Sequence, residues 1–237
     1  MKTVIADGYA RHAEFISPLP EAFATGQGEL VYDGRNQVRR FTDQGVTMMV
    51  KRYKRVNVVQ RVVYTLFRKT KACRAYLFAQ EFRRRGIDTP QEVAYMEKGS
   101  MGLFHTGYFV SLEVPGTETH LLLREVKEFS PKLADAVAGQ VLLMHRKGIL
   151  HGDLNLSNFL CTEQDGQYHF CMIDINRSHF REGFPTDEEC LKNLVRSTHR
   201  RDLYEYIIRS YARQRGWDEN QTASRALQLL DRFEHRF

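Results

Sequence analysis

The sequence predicts an α+β fold with a small antiparallel, strand-rich lobe followed by a larger, mostly helical one, and three observations predict it. Short β-rich runs separated by turn residues fill the first half of the chain. From Pro131 onward apolar residues recur at helical intervals. Between the halves Pro115-Gly116 punctuates the chain, with no internal repeat and no low-complexity linker. The expected organisation is therefore one domain over residues 1–237, with an N-lobe of about residues 20–114 and a C-lobe of about residues 117–237.

Each element has its own signal. Glu29–Asp33, Gln37–Phe41 and Val46–Tyr53 are β-rich runs joined by Gly34-Arg35-Asn36 and by Asp43-Gln44-Gly45, which predicts a meander. Lys69–Arg85 has helical character and Gly86 is placed to close it. Thr89-Pro90 breaks the chain before two further strands at Gln91–Glu97 and Tyr108–Val114. Pro131–Lys147 spaces Leu133, Val137, Val141, Leu142 and Met144 on one helical face, and Gly148 ends the run. Asp165-Gly166 predicts a hairpin between Phe159–Thr162 and Tyr168–Ile173. Thr186 with Glu189, and Asp218 with Gln221, have the capping-box spacing and open two of the C-terminal helices.

Composition excludes several classes. At 42% apolar and 27% charged, the 237 residues make an ordinary globular chain able to bury a sizeable core. No apolar run approaches the roughly 20 residues that span a bilayer, so no transmembrane segment is expected. The N-terminal stretch carries Asp7 and Glu14 and lacks an apolar h-region, which argues against a signal peptide. Cys73, Cys161, Cys171 and Cys190 have neither CxxC nor Cys/His ligand spacing, and are expected to be reduced core thiols. A cytoplasmic protein is the expectation.

The net charge of +6 is unevenly distributed. From Lys51 to Arg74 there are nine Lys/Arg and no Asp or Glu. Such a block reads either as a footprint for an anionic partner or as a solvated helix face. Interleaved valines, Leu66 and Phe67 indicate that the stretch alternates between core and surface.

Chemistry concentrates in Ile149–Arg177, ILHGDLNLSNFLCTEQDGQYHFCMIDINR. His151-Gly152-Asp153 is followed by Asn158 and, after the predicted hairpin, by Asp174 inside an apolar run. Phosphoryl transfer needs a carboxylate to orient the attacking hydroxyl, with an amide oxygen and a second carboxylate to hold Mg²⁺ against nucleotide phosphates. Asp153 suits the first role, Asn158 and Asp174 the metal pair. Asp153, Asn155 and Asn158 are also ordinary turn residues after a helix. The combination of apolar helix, HGD, spaced Asn, hairpin and apolar-flanked Asp favours a catalytic loop.

The HGDLxxxN loop resembles that of the protein-kinase-like phosphotransferases. The wider chain looks like the bacterial lipopolysaccharide kinases that phosphorylate Kdo or heptose of the inner core (the WaaP-like family). The stretches that carry this likeness are Gly34-Arg35-Asn36, VKRY at Val50–Tyr53, VVYTLFRKTKACRAY at Val62–Tyr76, GIDTP at Gly86–Pro90 and IDINR at Ile173–Arg177, which stands where protein kinases have Asp-Phe-Gly.

The resemblance implies a bilobal fold with ATP between the lobes, Mg²⁺ as cofactor, and transfer of the γ-phosphoryl group to a sugar hydroxyl. Lys51 then corresponds to the lysine that contacts nucleotide phosphates, with Lys54 as competitor. Gly34, Arg35 and Asn36 form either a phosphate-contacting turn or a plain hairpin. His151 belongs to the catalytic loop as a hydrogen-bonding prop rather than a proton shuttle. Arg177 meets either the acceptor's phosphate or carboxylate, or a neighbouring loop. For the helix carboxylate that usually pairs with this lysine, Glu81 is the only acid between Lys51 and Gly86, and it lies late in its helix.

Few residues separate IDINR from Thr186, leaving no room for a peptide-binding activation segment. A phosphorylated or acidic glycolipid acceptor is expected, with peripheral contact at the anionic cytoplasmic face of the inner membrane. The rivals are a kinase of another small-molecule or protein acceptor, a non-catalytic kinase-like binding module, and a basic nucleic-acid binder. No nucleic-acid motif accompanies the basic stretch, so no nucleic-acid partner is expected.

Overall fold

The computed structural model describes residues 1–53, 69–100 and 103–235. The chain divides into two compact units, one comprising Met1–Glu81 and Pro90–Val114, the other Phe82–Thr89 and Pro115–Phe237. Most of the basic stretch, residues 54–68, lies outside the described residues.

The first unit is built on a six-stranded sheet of β1 (Lys2–Ile5), β2 (Glu29–Asp33), β3 (Gln37–Asp43), β4 (Val46–Arg52), β5 (Glu92–Ser100) and β6 (Leu103–Leu112), in the order β1-β5-β6-β4-β3-β2. Every neighbouring pair is antiparallel. The β3–β4 turn has Gln44 and Gly45 both at positive φ (47° and 78°), as the twist of a tight two-residue hairpin demands.

Alternation along the strands gives the sheet two apolar faces. On one, Met48, Val50, Ala94, Met96 and Val110 pack with Ile16 of α1 (Ala13–Ile16) and with Leu19 and Phe23 of α2 (Leu19–Ala24). On the other, Tyr53 and Tyr95 pack with Ala72, Cys73, Ala75 and Tyr76 of α3 (Lys71–Arg84).

Three of these elements escaped the sequence analysis. β1 is too short to show alternation, and Pro18 and Pro20 split the Ile16–Phe23 apolar pattern over two brief helices. β6 starts at Leu103 rather than at Tyr108, with Gly107 inside the strand opposite Glu97, a residue type that sequence rules keep out of strand interiors.

The second unit is mostly helical. β7 (Thr117–Glu118) leads into α4 (Thr119–Leu123) and then α5 (Pro131–Arg146). α5 starts on a Ser130 hydroxyl that accepts from the Leu133 N–H, and buries Leu133, Val137, Val141, Leu142, Met144 and His145. It packs on α7 (Arg201–Arg215), whose Leu203, Tyr204, Ile207, Ile208 and Tyr211 are buried. α6 (Asp187–Leu194) and α8 (Glu219–Glu234) complete the helices. β8 (Ile149–Leu150) pairs with β11 (His179–Phe180), and β9 (Phe159–Gln164) with β10 (Gln167–Met172) and β7. All four cysteines are free thiols, and three of them are buried.

The helix starts read from sequence differ in quality. Thr186 is a full capping box: its hydroxyl accepts from the Glu189 N–H, and the Glu189 carboxylate accepts from the Thr186 N–H at 2.9 Å. At Asp218 only the forward bond forms, from the Gln221 N–H at 2.7 Å. Glu189 also accepts two bonds from Arg181, at 2.9 and 3.0 Å. Glu189→Ala should therefore lower the melting temperature clearly more than Gln221→Ala, as read by circular dichroism; equal shifts would show that the reciprocal bond adds nothing.

Candidate active site

The segment from Gly148 to Arg177 folds so that every backbone turn is tied to another part of the second unit. α5 stops at Gly148, whose φ is +68°. A Cβ there would lie 2.3 Å from the Arg181 carbonyl oxygen, so both conformation and space require glycine. Arg85, just past α3, donates to the carbonyls of Lys147 (2.7 Å) and Arg181 (2.8 Å), satisfying groups that a helix end leaves open.

His151 is fully buried, and its ring joins the two ends of the site. Nδ1 accepts from the Asp153 N–H at 3.2 Å, which leaves Nε2–H to donate to the Ile173 carbonyl at 3.1 Å. Phe82 presents an edge to the ring at 6.3 Å. Burial holds the imidazole below its ordinary pKa.

The His151 carbonyl is held in turn. Asn193 Nδ2 donates to it at 2.7 Å, so Asn193 Oδ1 accepts from His145 Nε2–H at 3.1 Å. His145 Nδ1 then accepts from the Tyr211 hydroxyl at 2.8 Å, and that oxygen accepts from Arg215 at 2.9 Å. Every bond in this chain has one possible direction. His145 is fully buried, and burial lowers its pKa to about 4.

Asp153 and Asn158 close one turn. Asn155 caps the short 3₁₀ turn Leu156–Asn158, its Oδ1 accepting from the Ser157 N–H. Asn158 Nδ2 donates to the Asp153 carbonyl at 2.7 Å, which fixes the amide and leaves Oδ1 as its acceptor. At the base of the β9–β10 hairpin the Ile173 N–H donates to the Asn158 carbonyl at 2.9 Å, bringing residues 158 and 174 to neighbouring positions. The Asp88 carbonyl and the Thr89 hydroxyl, both from the GIDTP stretch, hold the two backbone groups of Met172 at 2.8 and 2.7 Å.

Asp174 has φ 53° and ψ 40°, a left-handed conformation that a non-glycine residue adopts at a cost. Its Oδ1 accepts from the buried Asn176 amide at 2.6 Å. Arg177 follows, and its backbone packs against Gly152: a Cβ on Gly152 would fall 2.0 Å from the Arg177 carbonyl oxygen. That close approach sets the Arg177 guanidinium 3.5 Å from Asp153 Oδ2. Arg196, which the sequence analysis did not single out, stands 4.0 Å from Asp153 Oδ1.

The structure thus brings His151, Asp153, Asn158, Asp174 and Arg177 together in the second unit. Lys51, Gly34, Arg35 and Asn36 belong to the first. Lys51 lies on β4 with its amine 5.5 Å from the Tyr53 ring, on the sheet face that packs on α3. α3 also carries Glu81, half-buried near its C-terminal end. Gly34-Arg35-Asn36 is the β2–β3 turn, closed by the Gly34 N–H donating to the Asn36 carbonyl at 3.1 Å.

The donor set near Asp174 fits a magnesium ion. An Asn amide oxygen and one carboxylate are hard ligands, and Mg²⁺ takes few protein groups because water and phosphate complete its shell. Among the described residues there is no group of three His, Cys, Asp or Glu of the kind that would suit a softer transition metal.

Comparison with known proteins decides the family. The model of the lipopolysaccharide kinase (Kdo/WaaP) family matches residues 21–221. The chain belongs to that family. It is similar to a 3-deoxy-D-manno-octulosonic acid kinase of Vibrio vulnificus (strain YJ016), with 24% identity over 159 residues, 64% of this chain and 65% of that one. The enzyme of the same name from Vibrio cholerae serotype O1 (strain ATCC 39315 / El Tor Inaba N16961) is 23% identical over 134 residues, 56% of this chain and 55% of that one. The chain therefore spans somewhat under two thirds of these relatives' lengths. A solved structure of WaaP in complex with acyl carrier protein superposes with a TM-score of 0.64 at 20% identity, covering 100% of this chain and 98% of that one. The fold is the kinase-like α+β fold that the sequence predicts.

Neutral His145 carries a pH signature. Its folded pKa of about 4 lies below the 6.5 of a free histidine, so its contribution to stability is complete above about pH 6.5 and is lost as pH falls through 4. Urea unfolding should show declining stability over that window in the wild type and a shallower decline in His145→Gln. Parallel curves would rule the assignment out. Tyr211→Phe, which leaves the imidazole in place, should keep the wild-type slope.

Proposed function

We propose that this chain transfers the γ-phosphoryl group of ATP to a sugar hydroxyl of the lipopolysaccharide inner core, on Kdo or heptose. One observation carries the reading: the β9–β10 hairpin and the His151 ring bring Asp153, Asn158 and Asp174 into one cluster with the spacing and chemistry of a phosphotransfer site. Family membership and the names of the Vibrio relatives support the acceptor class.

In this reading Asp153 orients the acceptor hydroxyl and takes its proton as the oxygen bonds to phosphorus and the bridging P–O bond to ADP breaks. Asn158 and Asp174 hold Mg²⁺, which when bound draws negative charge off the phosphates. His151 keeps Asp153 in register with Asp174 through two backbone contacts. Lys51 contacts the nucleotide phosphates, and Gly34, Arg35 and Asn36 turn above those phosphates; Glu81 is the one acid that α3 could set against the lysine.

The test is to incubate the purified chain with Mg-ATP and a panel of inner-core acceptors and to follow phosphate transfer by mass spectrometry. Transfer should occur, Asp174→Ala should abolish Mg²⁺-dependent ATP binding in a folded protein, and Lys51→Met should cut turnover at least about 100-fold, far more than Lys54→Met. Unchanged metal dependence in Asp174→Ala would remove Asp174 from the site, and equal losses at the two lysines would remove Lys51. A chain that binds ATP but turns over no acceptor would be a binding module.

The basic stretch bears on place and partner. No helix among the described residues is long and apolar enough to cross a membrane. We assign Lys51–Arg74 to contact with the anionic glycolipid or the anionic cytoplasmic face of the inner membrane, where each Lys or Arg is worth about 1 kcal/mol. Reversing Arg61, Arg68 and Lys71 to Glu should weaken binding to phosphatidylglycerol vesicles by at least about 100-fold, and added salt should imitate that loss in the wild type. Unaltered vesicle binding would leave the stretch as a solvated surface.

A further inference from the structure

Arg196 is set beside Asp153 by construction. The chain leaves α6 through Leu194 and Val195, both buried, and re-enters the interior at Ser197 and Thr198, so Arg196 alone emerges. This loop is bonded to the HGD segment on either side of Arg196. Asn193 donates to the His151 carbonyl, and the Leu156 N–H donates to the Ser197 carbonyl at 3.1 Å. The Phe233 ring of α8 backs the guanidinium at 5.2 Å. Arg177 is fixed as firmly from the other side, by its backbone packing on Gly152.

The two guanidinium groups approach different oxygens of the same carboxylate, at 3.5 and 4.0 Å, yet neither makes a hydrogen bond to it among the described residues. Both arginine side chains are nearly half exposed, at 45% and 44%. A pair built for stability would be close, bidentate and shielded, whereas open pairs at this distance contribute little. Two cations facing one carboxylate also leave an excess of positive charge.

We propose that Arg196 and Arg177 form an oxyanion subsite beside Asp153, which recognises a carboxylate or phosphate on the acceptor within about one sugar ring of the reacting hydroxyl. The inference rests on the phosphotransfer reading above and adds what the site demands of its acceptor: a negative charge close to the attacked oxygen. Planar forks suit such an oxyanion, and a lysine reproduces the charge but not the fork. When the acceptor is absent the same arginines rest against Asp153, so its anion and the Asp153 carboxylate share one pair of cations.

The experiment measures phosphate transfer by the full chain to three acceptors: a Kdo-bearing lipid A precursor, the same molecule with its Kdo carboxylates methyl-esterified, and the same molecule with its lipid phosphates removed. On the native acceptor Arg196→Gln and Arg177→Gln should each raise the acceptor KM about 10-fold or more, with the ATP KM changed by less than about twofold. Arg196→Lys should recover part of the loss. Neutralising the group that the arginines recognise should weaken the wild type and erase the difference between wild type and variants. Esterification having that effect names the carboxylate, and phosphate removal having it names the phosphate. An active wild type whose variants lose the same factor on all three acceptors overturns the subsite and leaves the phosphotransfer reading standing. A wild type inactive on all three and on a heptose-extended core acceptor overturns that reading, and the subsite with it.

Discussion

A neutral imidazole with no access to water must have both nitrogens satisfied, one as donor and one as acceptor, and that constraint organises the site. His151 meets it with two backbone groups twenty residues apart, the Asp153 N–H and the Ile173 carbonyl. Each belongs to the residue adjacent to, or identical with, one of the two carboxylate positions. The imidazole therefore works as a spacer between the Asp153 and Asp174 positions. Protonating it would turn the Nδ1 acceptor into a donor facing the Asp153 N–H, and burial opposes that change.

Around this ring the segment is fixed by close backbone approach rather than by long side chains. Gly148 and Gly152 admit the carbonyls of Arg181 and Arg177 to distances that any Cβ would forbid. Arg85 gathers the ends of α5 and the β8–β11 ladder. Arg177 and Arg196 are nearly half exposed and Asp153 a third exposed, so charge faces the solvent beside this backbone framework.

Much of this was legible in the sequence wherever the signal was local. The spacing from His151 to Asp153, Asn158 and Asp174 lies within one segment, and Asp165-Gly166 announces the hairpin that folds it back. Helix boundaries at Pro131, Gly148 and Thr186 follow from capping chemistry that acts over three or four residues. Arg196, Asn193 and Arg85 were not legible, because each acts on the loop through tertiary contact, and nothing near them in the chain distinguishes them from surface residues. The one hint at Arg196 is its place between buried Val195 and Ser197, which burial reveals and periodicity does not. Lys51 is recognisable only through family likeness, since a lysine in a basic strand carries no signature of its own.

The chain of hydrogen bonds from Arg215 through Tyr211, His145 and Asn193 to the His151 carbonyl has a further consequence. A Grotthuss wire must be able to reverse every bond along its length after each passage. Here one terminus is a guanidinium that only donates and the other a carbonyl that only accepts, so the sequence of donors cannot turn round. This chain of bonds therefore carries no protons through the core behind the loop. The Asp153 carboxylate, a third exposed, instead has solvent directly at hand for proton exchange.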